Sequence, residues 1–469
     1  MIKMKNILKI SSFFLLMVVA LACRKVEKLN VDYSGFNPDN PTTNTPLDQW
    51  LTNNFLNPYN IEVVYRYNRY YHGNTANVAP NKYDNIQPTM QIVLDGFITP
   101  YLKVAGETFT KKYMPKEWVL FGSYSYNNTA DPGVAGTAAA GRRITLYGVN
   151  EYSPLPGGQF YAWDRQRIMH HEQAHILNQI IPIPPEFETI SRGSYKQPYT
   201  ETPTDTARKY GFVTSYASGV HTEDYAETIG WLLINGQVWY DDWANGASAL
   251  GKSRLIQKQN NVVNYYTNLG INFKGLQKEV QLYMKSINRN EQKFAYWLNK
   301  RRFPASTTNF IPTFANITVN TGSDTYIKYG GSAVFAPIYT SVKNAIAAQG
   351  YNLNFLRFNY TSPTTMYVEA NFTAGTTTYQ SFYAFNTAVN VATGDVTFTT
   401  GTAGGTTAPW VGNAAFTKPS VQPFLDYLLN NTFVADWLPV NASVEDYMKI
   451  GGFTVKGAST NYFYGTLAY

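Results

Sequence analysis

Two rhythms of hydrophobic residues divide the chain. Up to about residue 300 the longest apolar patterns recur at spacings of three and four, as on a helix with one buried side; beyond it short runs alternate apolar and polar, as in strands. Leu47, Trp50, Leu51 and Phe55 predict a short amphipathic helix, and the β-branched and aromatic run Ile61 to Tyr67 predicts a strand. Thr89 to Val104 is apolar enough for a core helix bracketed by Pro88 and Pro100. Glu117 to Ser123 and Arg143 to Val149 read as strands of a mixed sheet, with a Gly/Ala/Thr loop from Gly133 to Gly141 between them. Tyr161 to Ile181 follows as a helix with Ile168, Leu177 and Ile181 on one side, ended by Pro182, Pro184 and Pro185.

Residues 186 to 211 read as a polar loop. A second helix is expected to be capped by Thr222, to pack through Ala226, Gly230, Trp231 and Ile234, and to close at Trp239 to Trp243. Further helical patterns cover 252–269 and 273–288. A boundary is expected at Arg301 to Ser306. Beyond it Thr, Asn, Gly, Phe and Tyr dominate, Thr364 to Ala370 reads as a strand, and Gly401 to Thr407 as a flexible turn. The expected fold class is α+β, with a helix-and-mixed-sheet domain over 46–303 and a β-rich domain over 304–469.

The N-terminus changes the picture of where this fold works. A basic stretch to Lys9, an apolar run from Ile10 to Ala20 and the small-residue end Leu21-Ala22 predict a signal peptide over 1–22. Cys23 is the only cysteine in the chain, and Ala20-Leu21-Ala22-Cys23 resembles a bacterial lipobox, whose cysteine becomes the acylated first residue. That resemblance implies a cell-envelope protein bound to the membrane through lipid on Cys23, with 23–45 as a Pro/Asn/Thr-rich tether. The formal charge of +7 includes Lys3, Lys5 and Lys9 of the signal, so the mature chain carries 7 − 3 = +4. With no long Lys/Arg run, this excludes nucleic acid as a partner.

The chemistry lies in the predicted metal helix. Only five histidines occur in the chain, and His171-Glu172-Gln173-Ala174-His175 is a His-Glu-x-x-His string. On a helix, positions i and i+4 share a face, so His171 and His175 can offer two imidazoles to one zinc ion, with Glu172 beside them as general base. A catalytic zinc needs a third protein ligand and one open position. With cysteine spent at the anchor, that ligand must be His, Asp or Glu, and the neighbourhood Tyr216 to Glu227 offers Glu223, Glu227 and His221.

A His-Glu-x-x-His helix followed by a second helix bearing the ligand glutamate resembles the gluzincin metallopeptidases, and Tyr216 through Glu227 is similar to the corresponding part of anthrax lethal factor. The resemblance implies Glu223 as third ligand, Tyr216 as the tyrosine facing the substrate carbonyl, and Glu227 as a supporting carboxylate. Lipobox, N-terminal strand region and motif pair together resemble the zinc-binding metallopeptidase lipoproteins associated with outer-membrane nutrient-uptake loci. This implies a zincin-like domain over 46–303, a peptide, protein or glycoprotein substrate, an uptake complex as partner, and attachment to the outer membrane, facing either the periplasm or the surface. A non-hydrolytic zinc-binding module of such a complex is the alternative. In peptidases of this type an edge strand rims the cleft and receives extended substrate, and Ile144 to Val149 is expected to be that edge.

Overall fold

A computed structural model describes residues 44–127, 133–139, 141–154, 158–298, 300 and 313–468. The stretch read as a signal peptide, Cys23, nearly all of the expected tether and the expected boundary Arg301 to Ser306 lie outside the described residues. Up to Trp50 the chain forms a unit of its own. In its described part a helix starts at Pro46, and Thr45 and Asp48 cap it reciprocally: Thr45 Oγ1 accepts the Asp48 N–H at 3.2 Å, and the Asp48 carboxylate accepts the Thr45 N–H at 3.0 Å. Among the described residues no helix is long and apolar enough to cross a membrane.

The second unit, Leu51–Tyr469, opens on a four-stranded sheet: β1 (Glu62–Val64), β2 (Glu117–Leu120), β3 (Gly136–Ala139) and β4 (Arg143–Leu146), in the order β1-β2-β4-β3. The first three in that order are parallel and β3 is antiparallel to β4. Parallel neighbours need a long crossover. Here it is helical: α1 (Tyr83–Val93), a wide π-helical turn (Leu94–Ile98) and α2 (Thr99–Tyr113). The prolines do not bracket this helical stretch as expected. Pro88 lies inside α1, and Pro100 stands in the first turn of α2, where a missing N–H costs little. Met90, Val93, Phe97, Ile98 and Tyr101 pack with Trp118 and Ile144 in a core closed to solvent.

The sheet order corrects the expectation for the edge. β4 has neighbours on both sides, and the edge strand on the side of the metal helix is β3, inside the stretch read as a small-residue loop. Gly136 explains why small residues suit a strand here: a Cβ at this position would lie 2.3 Å from Ile168 Cγ2 of the metal helix. The segment over 186–211 is also not plain loop. It holds short helices at Pro185–Ile190 and Thr204–Lys209, the first opened by a proline at its first position.

Four longer helices complete this half: α3 (Gln159–Ile180), α4 (His221–Asn245), α5 (Ala249–Asn268) and α6 (Phe273–Ser286). α4 begins at His221 after Val220, two residues earlier than a Thr222 cap requires, and no side chain caps it. It breaks at Gly236, whose φ of 81° and ψ of 178° only glycine adopts readily. The turn before the break offers carbonyls whose helical partners lie at or beyond it, and glutamine amides take them. Gln277 donates to Leu232 O at 2.7 Å, Gln281 to Leu233 O at 2.6 Å and Gln292 to Ile234 O at 3.1 Å. Across the break Trp231 stacks on Trp239 at 5.0 Å and Trp239 on Trp243 at 5.4 Å, and past it Val238 enters the hydrophobic cluster of the C-terminal half.

That half is a closed eight-stranded antiparallel barrel: β5 (Asn316–Val319), β6 (Asn352–Tyr360), β7 (Thr365–Ala374), β8 (Thr377–Val389), β9 (Asp395–Thr400), β10 (Thr432–Trp437), β11 (Ile450–Val455) and β12 (Tyr462–Ala468). Pairing of β9 with β10 closes it. Its alternating strands bury Phe358, Phe398, Phe433, Phe453 and Phe463, whose rings lie 5.2–6.2 Å apart in contact pairs. Two helices, α7 (Phe335–Ala348) and α8 (Gly412–Leu429), add Phe335 and Phe424 to this cluster. The fold is thus α+β, as expected, with a helical half and an antiparallel β-rich half.

Candidate metal centre

Helix α3 places His171 and His175 one turn apart on the same side, with ring centroids 4.8 Å apart. α4 packs against that helix through Gly230, where a Cβ would stand 3.4 Å from Arg167 O and 3.7 Å from His171 N. This close approach brings the first turn of α4 over the imidazoles. Glu223 Oε2 then lies 3.1 Å from His171 Nε2 and 3.2 Å from His175 Nε2, and the two Nε2 atoms are 3.1 Å apart. Donors about 2.0–2.1 Å from one tetrahedral zinc ion must be about 3.3 Å apart, so this triangle has the size and the N, N, O chemistry for zinc. His171, His175 and Glu223 form the group that could hold a metal ion among the described residues.

Electrostatics agree with a cation site. Burial opposes a charge on His171, but the carboxylates of Glu223 and Glu227 on its two ring nitrogens prevail and push its pKa up to about 10. Glu223 is desolvated as well, yet the two imidazoles hold its pKa well below the ordinary carboxylate range. A metal cation held by these three donors would compete with a proton on the imidazoles.

Glu227, one turn beyond Glu223, faces the back of His171. Its Oε1 lies 2.9 Å from His171 Nδ1, while its Oε2 accepts from Thr214 Oγ1 at 2.7 Å and Trp231 Nε1 at 3.1 Å. Arg167 stands 3.6 Å from the same carboxylate. An acceptor on Nδ1 fixes the tautomer that leaves Nε2 free for a metal. The sequence offers Glu227 as a carboxylate near the site, but not the Thr214, Trp231 and Arg167 contacts that anchor it. Trp231, one turn after Glu227, is the only local signal of them.

Glu172 turns its carboxylate toward the same cleft and accepts a backbone hydrogen bond from Ala138 of β3. Burial raises its pKa, against the pull of His171 and His175. Tyr216 occupies a 3₁₀ turn just before α4, its ring 6.0 Å from that of His171 and edge-on to Tyr199 at 4.9 Å. Desolvation, then the Glu223 carboxylate to which it is hydrogen-bonded, keeps the phenol protonated far above neutral pH. His221 lines the cleft wall outside the donor triangle. His170 points the other way, buried between Phe97 and Tyr101, and burial pushes its pKa down to about 3.

These side chains line a cleft of about 740 Å³. Its opposite wall is Val134 and β3, and its floor beyond His175 is Asn178, Gln179, Pro182 and Ile183. The sequence profile of the family described as "Putative zinc-binding metallo-peptidase" matches residues 40–274, half of the chain and the part that holds every residue of the cluster. The chain belongs to this family. A crystal structure of a protein described in the same words, from Bacteroides caccae ATCC 43185, shares 27% sequence identity. It covers 51% of this chain and 92% of that one, with a TM-score of 0.44. No curated protein matches the chain. Family membership brings zinc as the metal for the cluster, and the family profile ends at the start of α6, before the barrel.

Proposed function

We propose that this protein is a zinc-dependent peptidase of the cell envelope, anchored to the outer membrane through lipid on Cys23, with its peptidase domain over 46–303 and its β-rich domain over 304–469. The observation that carries the reading is the convergence of three metal donors and one further carboxylate, that of Glu172, on a single cleft. His171, His175 and Glu223 hold the ion. Zinc bound there supplies a water of lowered pKa and a Lewis acid for the scissile carbonyl.

Every other step belongs to the chain's own groups. Glu172 takes a proton from the attacking water and returns it to the leaving amine. Its buried carboxylate has the raised proton affinity that such a shuttle needs. Tyr216 stays protonated and donates a hydrogen bond to the carbonyl oxygen as negative charge develops on it. Glu227 holds His171 in register. An extended peptide substrate adds to the free edge of β3, which lines the cleft and lies within hydrogen-bond reach of Glu172. Gly136, Thr137 and Ala138 leave room there for substrate side chains.

The resemblance of Ala20-Leu21-Ala22-Cys23 to a lipobox supports placing hydrolysis outside the cytoplasm, and the resemblance to lipoproteins of nutrient-uptake loci supports placing it next to such a complex. Its substrates would be peptides, proteins or glycoproteins. The test is hydrolysis of a broad peptide library by the zinc-loaded chain, with chelator and with Glu172→Gln as controls. Cleavage must disappear with chelator, and Glu172→Gln must bind zinc normally while losing turnover. A zinc-loaded wild-type chain that cleaves nothing, or a Glu172→Gln variant that cleaves as well as wild type, defeats the reading.

A further inference from the structure

A hydrogen-bond donor to a developing oxyanion is useful only if it points the right way, and Tyr216 is poorly placed to do so unaided. Its side chain stands on a three-residue turn and is 39% exposed. The backbone of the turn is held, by Ala217 N–H on Thr214 Oγ1 at 3.0 Å and Ser218 N–H on Ser215 O at 3.0 Å, but neither bond sets the rotamer of the phenol. Its hydroxyl is hydrogen-bonded to Glu223, a carboxylate that a metal ion would also claim. Ring packing is left to aim it.

That packing comes from another segment. Tyr199 meets Tyr216 edge to face, with centroids 4.9 Å apart at 83°, a geometry in which aromatic rings attract. Tyr199 belongs to a strap over residues 194–201 that is tied down around the start of α4. Ser194 Oγ accepts from Arg254 of α5 at 2.9 Å, and Lys196 N–H donates at 2.8 Å to Ser218 O, on the turn that carries Tyr216. The strap also presses on Gly219, where a Cβ would stand 2.8 Å from Gln197 Nε2 and 3.5 Å from Tyr199 Cβ.

The last tie is buried. Tyr195 OH donates to Asp224 Oδ2 at 2.9 Å, and the same oxygen meets Lys258 Nζ of α5 at 2.7 Å. Asp224 and Lys258 are closed to solvent, and Lys258 also donates to Gly211 O at 2.7 Å and lies over the Phe212 ring at 4.1 Å. Such a pair resists displacement, because parting it would strand a bare charge in the interior. Asp224 directly follows Glu223, so the first turn of α4 carries a metal donor and, one residue on, the post to which the strap is tied. Resting on the peptidase reading above, we infer that Tyr199 is a positioning residue: it acts through Tyr216, holding the phenol over the metal donors, and is itself held by the strap through Tyr195, Asp224 and Lys258.

The experiment is a set of variants of the full chain read in two ways. In steady-state kinetics of the zinc-loaded protein, Tyr199→Ala should lower kcat by about tenfold to a hundredfold, with KM and the zinc dissociation constant unchanged. Tyr199→Phe keeps the ring and should keep kcat. In a Tyr216→Phe background Tyr199→Ala should cost nothing more, since no hydroxyl is left to aim. Tyr195→Phe, which frees the strap from Asp224 and leaves the ion pair in place, should lower kcat in the same direction. The second reading needs neither metal nor turnover: the fluorine NMR resonance of fluorotyrosine placed at position 216 in the metal-free chain should shift and narrow in Tyr199→Ala and stay nearly in place in Tyr199→Phe. Losses from Tyr199→Ala and Tyr216→Phe that multiply in full, a loss that falls on zinc affinity instead of kcat, or a fluorine resonance that Tyr199→Ala does not move overturns the inference. A resonance that moves as expected in a chain that cleaves nothing upholds the hold of Tyr199 on Tyr216 and defeats the peptidase reading instead.

Discussion

Replacing Glu227 by glutamine separates the carboxylate that holds the ion from the one that holds a ligand. In the folded protein Glu227 touches no other donor of the triangle; its Oε1 meets His171 Nδ1 at 2.9 Å and its Oε2 takes Thr214 and Trp231. A glutamine keeps the size and can still accept from His171, but as a neutral group. A hydrogen bond to a charged acceptor exceeds a neutral one by about 1–1.5 kcal/mol, and carboxylates behind metal-bound histidines are worth about 10–100-fold in metal affinity. Zinc affinity should therefore fall by about tenfold to a hundredfold. The amide also presents N–H₂ to two donors, Thr214 and Trp231, which should cost about 1–3 kcal/mol of stability. Glu223→Gln should behave differently. It removes a direct ligand, so zinc binding should fall far more, and the metal-free chain loses the pairing of Glu223 with the two imidazoles as well. Zinc dissociation constants from competition with a chelating dye, together with urea unfolding of the metal-free proteins, measure both effects. If Glu227→Gln abolished zinc binding while Glu223→Gln kept it, the assignment of the third ligand would be reversed.

Tyr216→Phe should lower kcat by about 10²–10³-fold with KM little changed, as expected for loss of one oxyanion donor; steady-state kinetics on a cleaved library peptide would refute the role if kcat held. Gly236→Ala forces a side chain into a glycine-only conformation and sets a Cβ 2.5 Å from Gln281 Oε1, so it should destabilise by about 2–5 kcal/mol. Because it also displaces Gln281 from Leu233 O, the double variant with Gln281→Ala should cost less than the sum of the singles, and strict additivity in urea unfolding would contradict the account of the break. Burial pushes the pKa of Asp241 up to about 6. Its folded-state pKa lies above the unfolded one, so the folded state loses stability as pH rises through 4 to 6. Asp241→Asn should add about 2 kcal/mol at pH 7, after allowance for its partial exposure, and almost nothing near pH 4. Equal gains at both pH values in urea titrations would exclude this origin.

What the sequence made legible was local. His171 and His175 are paired by helical periodicity alone, whereas Glu223 stands beside Glu227 and His221 as a candidate until the resemblance to the gluzincins singles it out. The β3 edge escaped notice because its residues are Gly, Thr and Ala, which carry no strand signature; they form a strand because β4 and the metal helix leave only that much room. The break at Gly236 is equally silent, since its partners Gln277, Gln281 and Gln292 lie more than a helix away in sequence. In the C-terminal half Phe335, Tyr339, Val342 and Ile346 keep helical spacing within α7, but the Thr- and Gly-rich surroundings point to strands alone. Closure of the barrel depends on β9 meeting β10 across the whole of α8, a pairing no local pattern encodes.

The hydrophobic cluster of the barrel does not stop where the composition changes. Phe294, Trp297 and Leu298 lie in it with Val238 of α4; Trp437 donates to Gln292 O at 2.8 Å, and the Phe294 ring fills the space that a side chain at Gly451 would need. The same α4 carries Glu223 at its other end. A chain cut near residue 300 would therefore keep the donors yet expose the aromatic plug that the barrel covers, and would be prone to aggregate rather than act as a free-standing enzyme. Conversely, zinc added to the intact chain should raise the melting temperature of the barrel, since an ion held at one end of a shared beam resists the unfolding of whatever is built on the other.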